Sequence, residues 1–158
     1  MMKDLVRLLA SKGMTITFAE SCTGGLLAKL ITDVPGASAV FRGSVVSYSA
    51  EVKERLLGVS PGTIEKYGEV SRETAVEMAA GARELLGADI AVSVTGSAGP
   101  SPDEPGKPVG LIWLAAAGPG GVEAESIYND FPENARERNR AAAAEKAVEM
   151  ALRAAKSF

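Results

Sequence analysis

Apolar residues recur along the chain at two spacings, one typical of helices that pack through one face and one typical of buried strands. Helical spacing, or a residue that favours a helix start, marks six segments. The predicted helices cover residues 4–12, 26–31, 50–57, 61–67, 72–86 and 133–156. Short runs rich in apolar and β-branched residues predict strands. The predicted strands cover residues 14–18, 41–48, 88–94, 109–117 and 123–131.

The residues that flank two of the helices make their bounds more definite. Ser49 and Ser71 precede apolar helical patterns and are good N-caps, because a serine hydroxyl accepts a hydrogen bond from an N–H group of the first turn. Gly58 follows the first of these helices, where a glycine commonly ends a helix. These signals predict helices that begin at residues 50 and 72.

The order of the elements indicates the fold class. Helices and strands alternate up to residue 94, and two strands then follow each other around Gly118-Pro119-Gly120-Gly121, which favours an antiparallel hairpin. We therefore predict an α/β fold: a three-layer α/β/α sandwich whose mixed, mostly parallel central sheet carries an antiparallel hairpin. The length of 158 residues favours a single domain over residues 1–158.

The segment Ala19-Glu20-Ser21-Cys22-Thr23-Gly24-Gly25 joins the first predicted strand to the helix that follows it. Hydroxylated residues and paired glycines at such a turn leave backbone N–H groups free at the helix start, where an anion or a developing oxyanion can bind. The same composition is also typical of an ordinary helix cap. The pattern by itself leaves both interpretations open.

The composition limits the chemistry that the chain can perform. There is no histidine, so Ser-His-Asp catalysis, Cys-His catalysis and zinc sites built from histidine and cysteine are excluded within this chain. A catalytic base would have to be Lys, Asp, Glu or Tyr. The net charge of −3 argues against nonspecific nucleic-acid binding, and no apolar run is long enough for a membrane span. The single cysteine, Cys22, fits a cytoplasmic location.

Three predicted strands end in chemically useful residues: Glu20-Ser21, Tyr48-Ser49 and Thr95-Gly96. Ligands of open α/β sheets bind beyond the carboxyl ends of the strands, so we expect these residues near a common site. Lys53 lies one turn into the helix that Ser49 caps and shares a face with leucines, which would desolvate its amine and favour the neutral form. The alternative is a lysine that extends along the apolar face into solvent.

A neutral lysine beside a serine can generate a hydrolytic nucleophile without histidine. The candidates are Ser21, in the turn after the first strand, and Ser38, in the Gly36-Ala37-Ser38 segment. Cys22 is a rival nucleophile, although a lone cysteine is more often a small buried apolar residue.

Charged residues later in the chain have two interpretations. Arg136 and Arg140 are spaced i, i+4 and could bind a phosphate or carboxylate together, or they could belong to a solvated helix face. We expect Asp103 and Glu104, in the Pro- and Gly-rich segment 97–108, to be solvated. That segment is predicted to be a loop over a sheet end, and it could act as a lid.

Several motifs, taken in order, resemble those of one family. They are Ala19-Glu20-Ser21-Cys22-Thr23-Gly24-Gly25, Gly36-Ala37-Ser38 with Phe41 and Gly43, Tyr48-Ser49-Ala50-Glu51-Val52-Lys53, Gly68-Glu69-Val70-Ser71, Thr95-Gly96-Ser97-Ala98-Gly99-Pro100 and Lys107-Pro108-Val109-Gly110. Over essentially its whole length the chain resembles the CinA C-terminal domain family, the bacterial nicotinamide mononucleotide deamidases. Longer CinA proteins carry an additional nucleotide-processing domain, so the likeness is to the stand-alone form.

The resemblance implies an amidohydrolase that converts nicotinamide mononucleotide to nicotinate mononucleotide and ammonia through a Ser/Lys dyad, with no metal and no other cofactor. It implies that Lys53 is the base and that Tyr48 and Thr95 belong to the active site, while Ser21 and Ser38 both remain candidate nucleophiles. In the family the arginine pair usually follows a Gly-Asp/Asn-Arg turn, where this chain reads Glu133-Asn134-Ala135-Arg136.

We also expect the substrate to be bound by residues of the turn, the third strand and the last helix. These residues are Glu20, Thr23, Gly24, Gly25, Gly96, Arg136 and Arg140. The expected partners are nicotinamide mononucleotide and further copies of the chain in a homo-oligomer, with no nucleic acid and no membrane. The alternative functions are a non-catalytic nucleotide-binding or regulatory module and a structural oligomerisation domain.

Overall fold

A five-stranded sheet forms the centre of the computed structural model, which describes residues 1–157. The strands are β1 (Ile16–Glu20), β2 (Phe41–Val46), β3 (Ile90–Gly96), β4 (Leu111–Gly118) and β5 (Gly121–Tyr128). The α-helices are α1 (Met2–Lys12), α2 (Leu26–Thr32), α3 (Ala50–Leu57), α4 (Pro61–Tyr67), α5 (Arg72–Leu86) and α6 (Ala135–Lys156). A short 3-10 helix, Ala37–Ala39, precedes β2.

The strands lie in the order β2-β1-β3-β4-β5. Strand β1 pairs in parallel with both β2 and β3, so the carboxyl ends of these three strands meet at one edge of the sheet. Strand β4 is antiparallel to β3, and β4 and β5 form the antiparallel hairpin. The predicted fold class, with its mixed sheet and hairpin, is confirmed.

Different side chains cover the two faces of the sheet. Phe18 points into the larger core, which is formed with α1, α2 and α6, whereas Ala19 points to the opposite face, against α5. On that second face β4 contributes Ala115 and Ala117, which pack against alanines of α5. Small residues on both sides let α5 approach the sheet closely, and α3 then packs on α5.

The observed strand bounds differ from the predicted ones at the site. Strand β1 extends to Glu20 and β3 extends to Gly96, so Glu20, Thr95 and Gly96 belong to strands. Glu20 pairs with Val46 on one side and with Val94 on the other. Backbone pairing therefore continues past the apolar run that the sequence pattern detects. No helix within residues 1–157 combines the length and the apolar character needed to cross a membrane.

Candidate active site

The side chain of Lys53 is completely buried at the carboxyl edge of the parallel strands, with 0% of the residue exposed. Ser49 caps α3 by accepting a hydrogen bond from Val52 N–H, which places Lys53 in the first part of that helix. The Lys53 Nζ donates to the carbonyl oxygen of Ser47 at 2.7 Å and lies 2.9 Å from Ser21 Oγ. A carboxylate oxygen of Glu69 lies 3.3 Å from the same nitrogen.

Two opposing influences act on the proton affinity of this amine. Burial is the larger one and lowers the pKa of Lys53, while the Glu69 carboxylate favours the ammonium form and raises it. The net direction is downward. A lowered pKa increases the share of neutral amine, which is the form that can accept a proton from the Ser21 hydroxyl.

Ser21 follows β1 directly and is held by contacts on both sides. Its N–H group donates to the carbonyl of Val94 at 3.0 Å, which continues the pairing of β1 with β3. The next two carbonyls, those of Cys22 and Thr23, accept hydrogen bonds from the Arg140 guanidinium at 3.1 and 2.8 Å. With 8% of Ser21 exposed, this turn leaves the residue at the surface of a pocket.

The pocket beside Ser21 has a volume of about 210 Å³ and is open to solvent. Its walls come from the ends of β1 and β3, the segment between β2 and α3, the segment before α5, the Pro-rich loop and the start of α6. The residues that line it are Ser21, Cys22, Tyr48, Glu69, Val70, Thr95, Gly96, Ala98, Asp103, Glu104 and Arg136. Five residues predicted from the sequence therefore share one pocket: Ser21, Tyr48, Thr95, Gly96 and Arg136.

Glu20 has a structural role instead of the predicted contact with substrate. Its buried carboxylate accepts hydrogen bonds from the N–H groups of Leu27 and Ala28 at the start of α2, and from Ser44 Oγ. The expectation that these N–H groups are free for an anion is therefore wrong, because the chain supplies its own carboxylate to them.

The other turn residues predicted to bind substrate do not line the pocket either. Thr23 is completely buried. Gly24 and Gly25 have φ values of 57° and 102°, a left-handed conformation that favours glycine. These three residues shape the turn that presents Ser21.

Ser38 is not brought to the lysine. It lies exposed in the 3-10 helix before β2, at the amino end of the sheet, where Val40 accepts a hydrogen bond from the first residue of β1. Lys53 and Ser21 lie at the opposite, carboxyl edge. Of the two candidate nucleophiles, only Ser21 contacts the amine.

The two arginines of α6 have separate roles. Arg136 lies at the pocket rim, where it donates to the carbonyl of Gly99 at 2.7 Å and to the hydroxyl of Tyr48 at 3.0 Å. Tyr48 is 59% exposed, so this pair can reach a ligand from solvent. Arg140 instead donates to the turn carbonyls described above and does not line the pocket, so the structure does not bring the two arginines together there.

Three residues around the lysine, Ser47, Glu69 and Glu104, were not predicted from the sequence to belong to the site. Ser47 and Glu69 are both partners of Lys53. Glu69 belongs to the Gly68-Glu69-Val70-Ser71 motif of the family resemblance, but the sequence did not assign it a role at the site. Glu104, which was expected to be solvated, accepts hydrogen bonds from Glu69 N–H and Val70 N–H. Thr95 reaches the same segment and donates to the carbonyl of Glu69 at 2.8 Å.

Cys22 is the remaining candidate nucleophile in the pocket wall. Burial raises the pKa of its thiol to about 12, which keeps the thiol protonated at neutral pH. A thiolate is the reactive form, so this environment does not favour nucleophilic attack by Cys22. Within residues 1–157, no three His, Cys, Asp or Glu side chains converge in an arrangement that could hold a metal ion.

Comparison with known proteins places the chain in a family. The model of the CinA C-terminal domain matches residues 1–155. A CinA-like protein of Chlorobium phaeobacteroides is 52% identical over 136 residues, which cover 85% of this chain and 32% of that protein. A CinA-like protein of Fervidobacterium nodosum is 48% identical over 129 residues, which cover 81% of this chain and 31% of that protein.

Solved structures extend the similarity to the whole fold. A CinA superfamily protein from Klebsiella pneumoniae 700603 has a TM-score of 0.91 and 31% identity, with 100% of this chain and 99% of that chain covered. The competence/damage inducible protein CihA from Agrobacterium tumefaciens has a TM-score of 0.86 and 38% identity, with 96% and 93% covered. The chain spans about a third of the length of the two CinA-like relatives above. By sequence and by structure, the chain belongs to the CinA C-terminal domain family.

Proposed function

We propose that the protein is an amidohydrolase that converts nicotinamide mononucleotide to nicotinate mononucleotide and ammonia, with Ser21 as nucleophile and Lys53 as base. The observation that carries this proposal is the buried Lys53 Nζ, 2.9 Å from Ser21 Oγ, at the wall of an open pocket. The family resemblance supports the choice of the nucleotide carboxamide as substrate. A serine paired with a desolvated amine is suited to acyl transfer in a chain without histidine.

The reaction begins when neutral Lys53 takes the hydroxyl proton of Ser21 and the serine oxygen forms a bond to the carboxamide carbon. The carbonyl π electrons move to oxygen and give a tetrahedral oxyanion. This intermediate collapses, the C–N bond breaks, and the Lys53 ammonium protonates the leaving nitrogen to release ammonia. Lys53 then deprotonates a water molecule, whose oxygen forms a bond to the acyl carbon of the serine ester. The bond between that carbon and Ser21 Oγ breaks, the Lys53 ammonium returns the proton to the serine oxygen, and the acid product leaves as the carboxylate after it loses its proton to solvent.

In this proposal, a backbone N–H donor stabilises the oxyanion, and residues at the pocket rim bind the phosphate of the substrate. The N–H group of Cys22, which lines the pocket directly after the nucleophile, would donate to the oxyanion. Arg136, the Arg or Lys residue among those that line the described pocket, would bind the phosphate, with Tyr48 beside it.

Ammonia release from nicotinamide mononucleotide tests this function. We expect Ser21→Ala and Lys53→Met to lower kcat by about 1,000-fold or more, because each removes one half of the nucleophile–base pair. Ser38→Ala is the matched control, since it removes an exposed serine hydroxyl at the other edge of the sheet, and it should keep wild-type turnover. Full turnover in Lys53→Met would refute the dyad. Calorimetric binding of the nucleotide by the wild-type protein without ammonia release would favour a nucleotide-binding module.

A further inference from the structure

We propose that Glu69 is a positioning residue that orients the Lys53 amine towards Ser21 and determines the pH at which this amine can accept the serine proton. The inference rests on the proposed function, in which Lys53 is the base, and it assigns a role to a carboxylate that the dyad by itself does not use.

The number of polar partners around Lys53 Nζ determines where the lone pair points. The nitrogen has three such partners: Ser47 O at 2.7 Å, Ser21 Oγ at 2.9 Å and a Glu69 carboxylate oxygen at 3.3 Å. An ammonium has three N–H donors and satisfies all three. A neutral amine has two N–H donors and one lone pair. Because Ser47 O and the carboxylate can only accept, they take both donors, and the lone pair is left for the Ser21 hydroxyl.

The carboxylate is held in place by its own backbone. Thr95 Oγ1 donates to the carbonyl of Glu69, and the Glu104 carboxylate accepts from the N–H groups of Glu69 and Val70. The residue before, Gly68, lies directly under the Glu104 side chain, and a Cβ there would fall 3.1 Å from the Glu104 carboxyl carbon. Hydrogen bonds to the backbone N–H and C=O groups of Glu69 thus fix the position of its Cα, from which the side chain extends.

Ionisable groups other than Glu69 also lie around the Lys53 amine and influence its protonation. Cys22, on the turn after β1, and Glu104, on the Pro-rich loop, act on Lys53 more weakly than Glu69 does. The Cys22 thiol remains protonated because its pKa is raised to about 12. Asp103, Tyr48 and Arg136 line the same pocket. Glu69 is therefore the dominant charge that faces the amine.

The sign of the effect follows from Coulomb attraction. A negative carboxylate favours the ammonium, so Glu69 raises the pKa of Lys53 against the lowering caused by burial. Its side chain is 35% exposed, which lets water screen the pair and limits the effect. Removal of the charge in Glu69→Gln should lower the pKa of Lys53, while the amide oxygen can still accept one N–H.

The test is a titration of the lysine ε-carbons by NMR in protein labelled with ¹³C-lysine, with Lys53→Met used to identify the Lys53 signal. We expect the midpoint of Lys53 to move to lower pH by about one unit in Glu69→Gln. Glu69→Asp, which keeps the charge on a shorter side chain, should lie between that variant and the wild type. Glu65→Gln, the same change at an exposed position of α4, should leave the midpoint unchanged.

This titration does not depend on turnover, so failure of the proposed function and failure of this inference are distinguishable. In active protein, the acid limb of the kcat/KM profile should move to lower pH with the same order of variants. A Lys53 midpoint that is unchanged or raised in Glu69→Gln, in a variant whose urea unfolding matches the wild type, would overturn the inference. If Glu69→Gln does not fold, a wild-type midpoint in Glu69→Asp with its kcat/KM profile unmoved would also overturn it.

Discussion

Replacing Gly81 by alanine tests the helix contact that fixes the position of Lys53. Gly81 lies in α5 and faces the last residue of α3, the helix that carries the lysine. A Cβ at this position would fall 2.6 Å from the carbonyl carbon of Leu57 and closer still to its oxygen. Both atoms belong to the backbone, so a side-chain rotation cannot relieve the overlap.

Two terms of opposite sign determine the change in stability. Alanine in place of glycine within a helix gains about 1 kcal/mol from backbone propensity. Against this, α3 must move away by at least roughly 1 Å to reach ordinary contact distance. Overpacking of this kind costs about 1–3 kcal/mol, and an overlap with backbone belongs at or above the upper end. We therefore expect Gly81→Ala to lower the free energy of unfolding by about 2 kcal/mol or more.

Urea unfolding measures this change, and Gly62→Ala is the matched control. Gly62 lies in α4, and a Cβ there meets only the Ser60 hydroxyl, at 3.6 Å. That variant should be as stable as the wild type or up to about 1 kcal/mol more stable. A shift of α3 also separates Lys53 from Ser21, so ammonia release should fall in Gly81→Ala alone. Equal stability of the two variants would refute the close contact of α3 with α5.

Two further predictions concern the buried ionisable groups. Burial holds the pKa of Lys53 below its ordinary value of 10.5 in the folded state, so in the pH range just below 10.5 the unfolded chain binds the extra proton. The free energy of unfolding should therefore rise with pH more steeply in wild type than in Lys53→Met, by up to about 1.4 kcal/mol per pH unit. Urea unfolding at a series of pH values measures both slopes, and equal slopes would contradict this expectation. Cys22, with its pKa raised to about 12, should react with iodoacetamide at pH 8 at least about 100-fold more slowly in folded protein than in urea. Equal rates, followed by mass spectrometry, would show that the thiol is not buried.

Local signals explain why most of the fold was predictable. Ser49 and Ser71 cap α3 and α5 as predicted, because the capping bond joins residues only three apart. The strand ends were less predictable. Thr95 and Gly96 continue β3 because β4 pairs with them, and no short-range pattern encodes that partner.

The candidate site, like the fold, was predictable from the sequence only in part. The absence of histidine is evident from the chain alone and limits the class of base, whereas the sequence leaves open whether Lys53 is buried or extends into solvent. Ser21 and Ser38 could not be distinguished there, because both follow a plausible turn beside small residues. Only the parallel pairing of β1 with β2 places Ser21 and Lys53 at one edge of the sheet and Ser38 at the other.

By itself, then, the sequence determined the helices, most of each strand, the fold class and a chemistry limited to Lys, Asp, Glu or Tyr as the base. These properties depend on residue type and on contacts between near neighbours. The tertiary structure decided which serine meets the amine, that Glu20 and Arg140 support the turn, and that Glu69 and Glu104 reach the site from two loops. The contacts of Lys53 with Ser21, of Glu104 with Val70 and of Arg140 with Thr23 join residues 32, 34 and 117 positions apart, so no short-range pattern in the sequence encodes them.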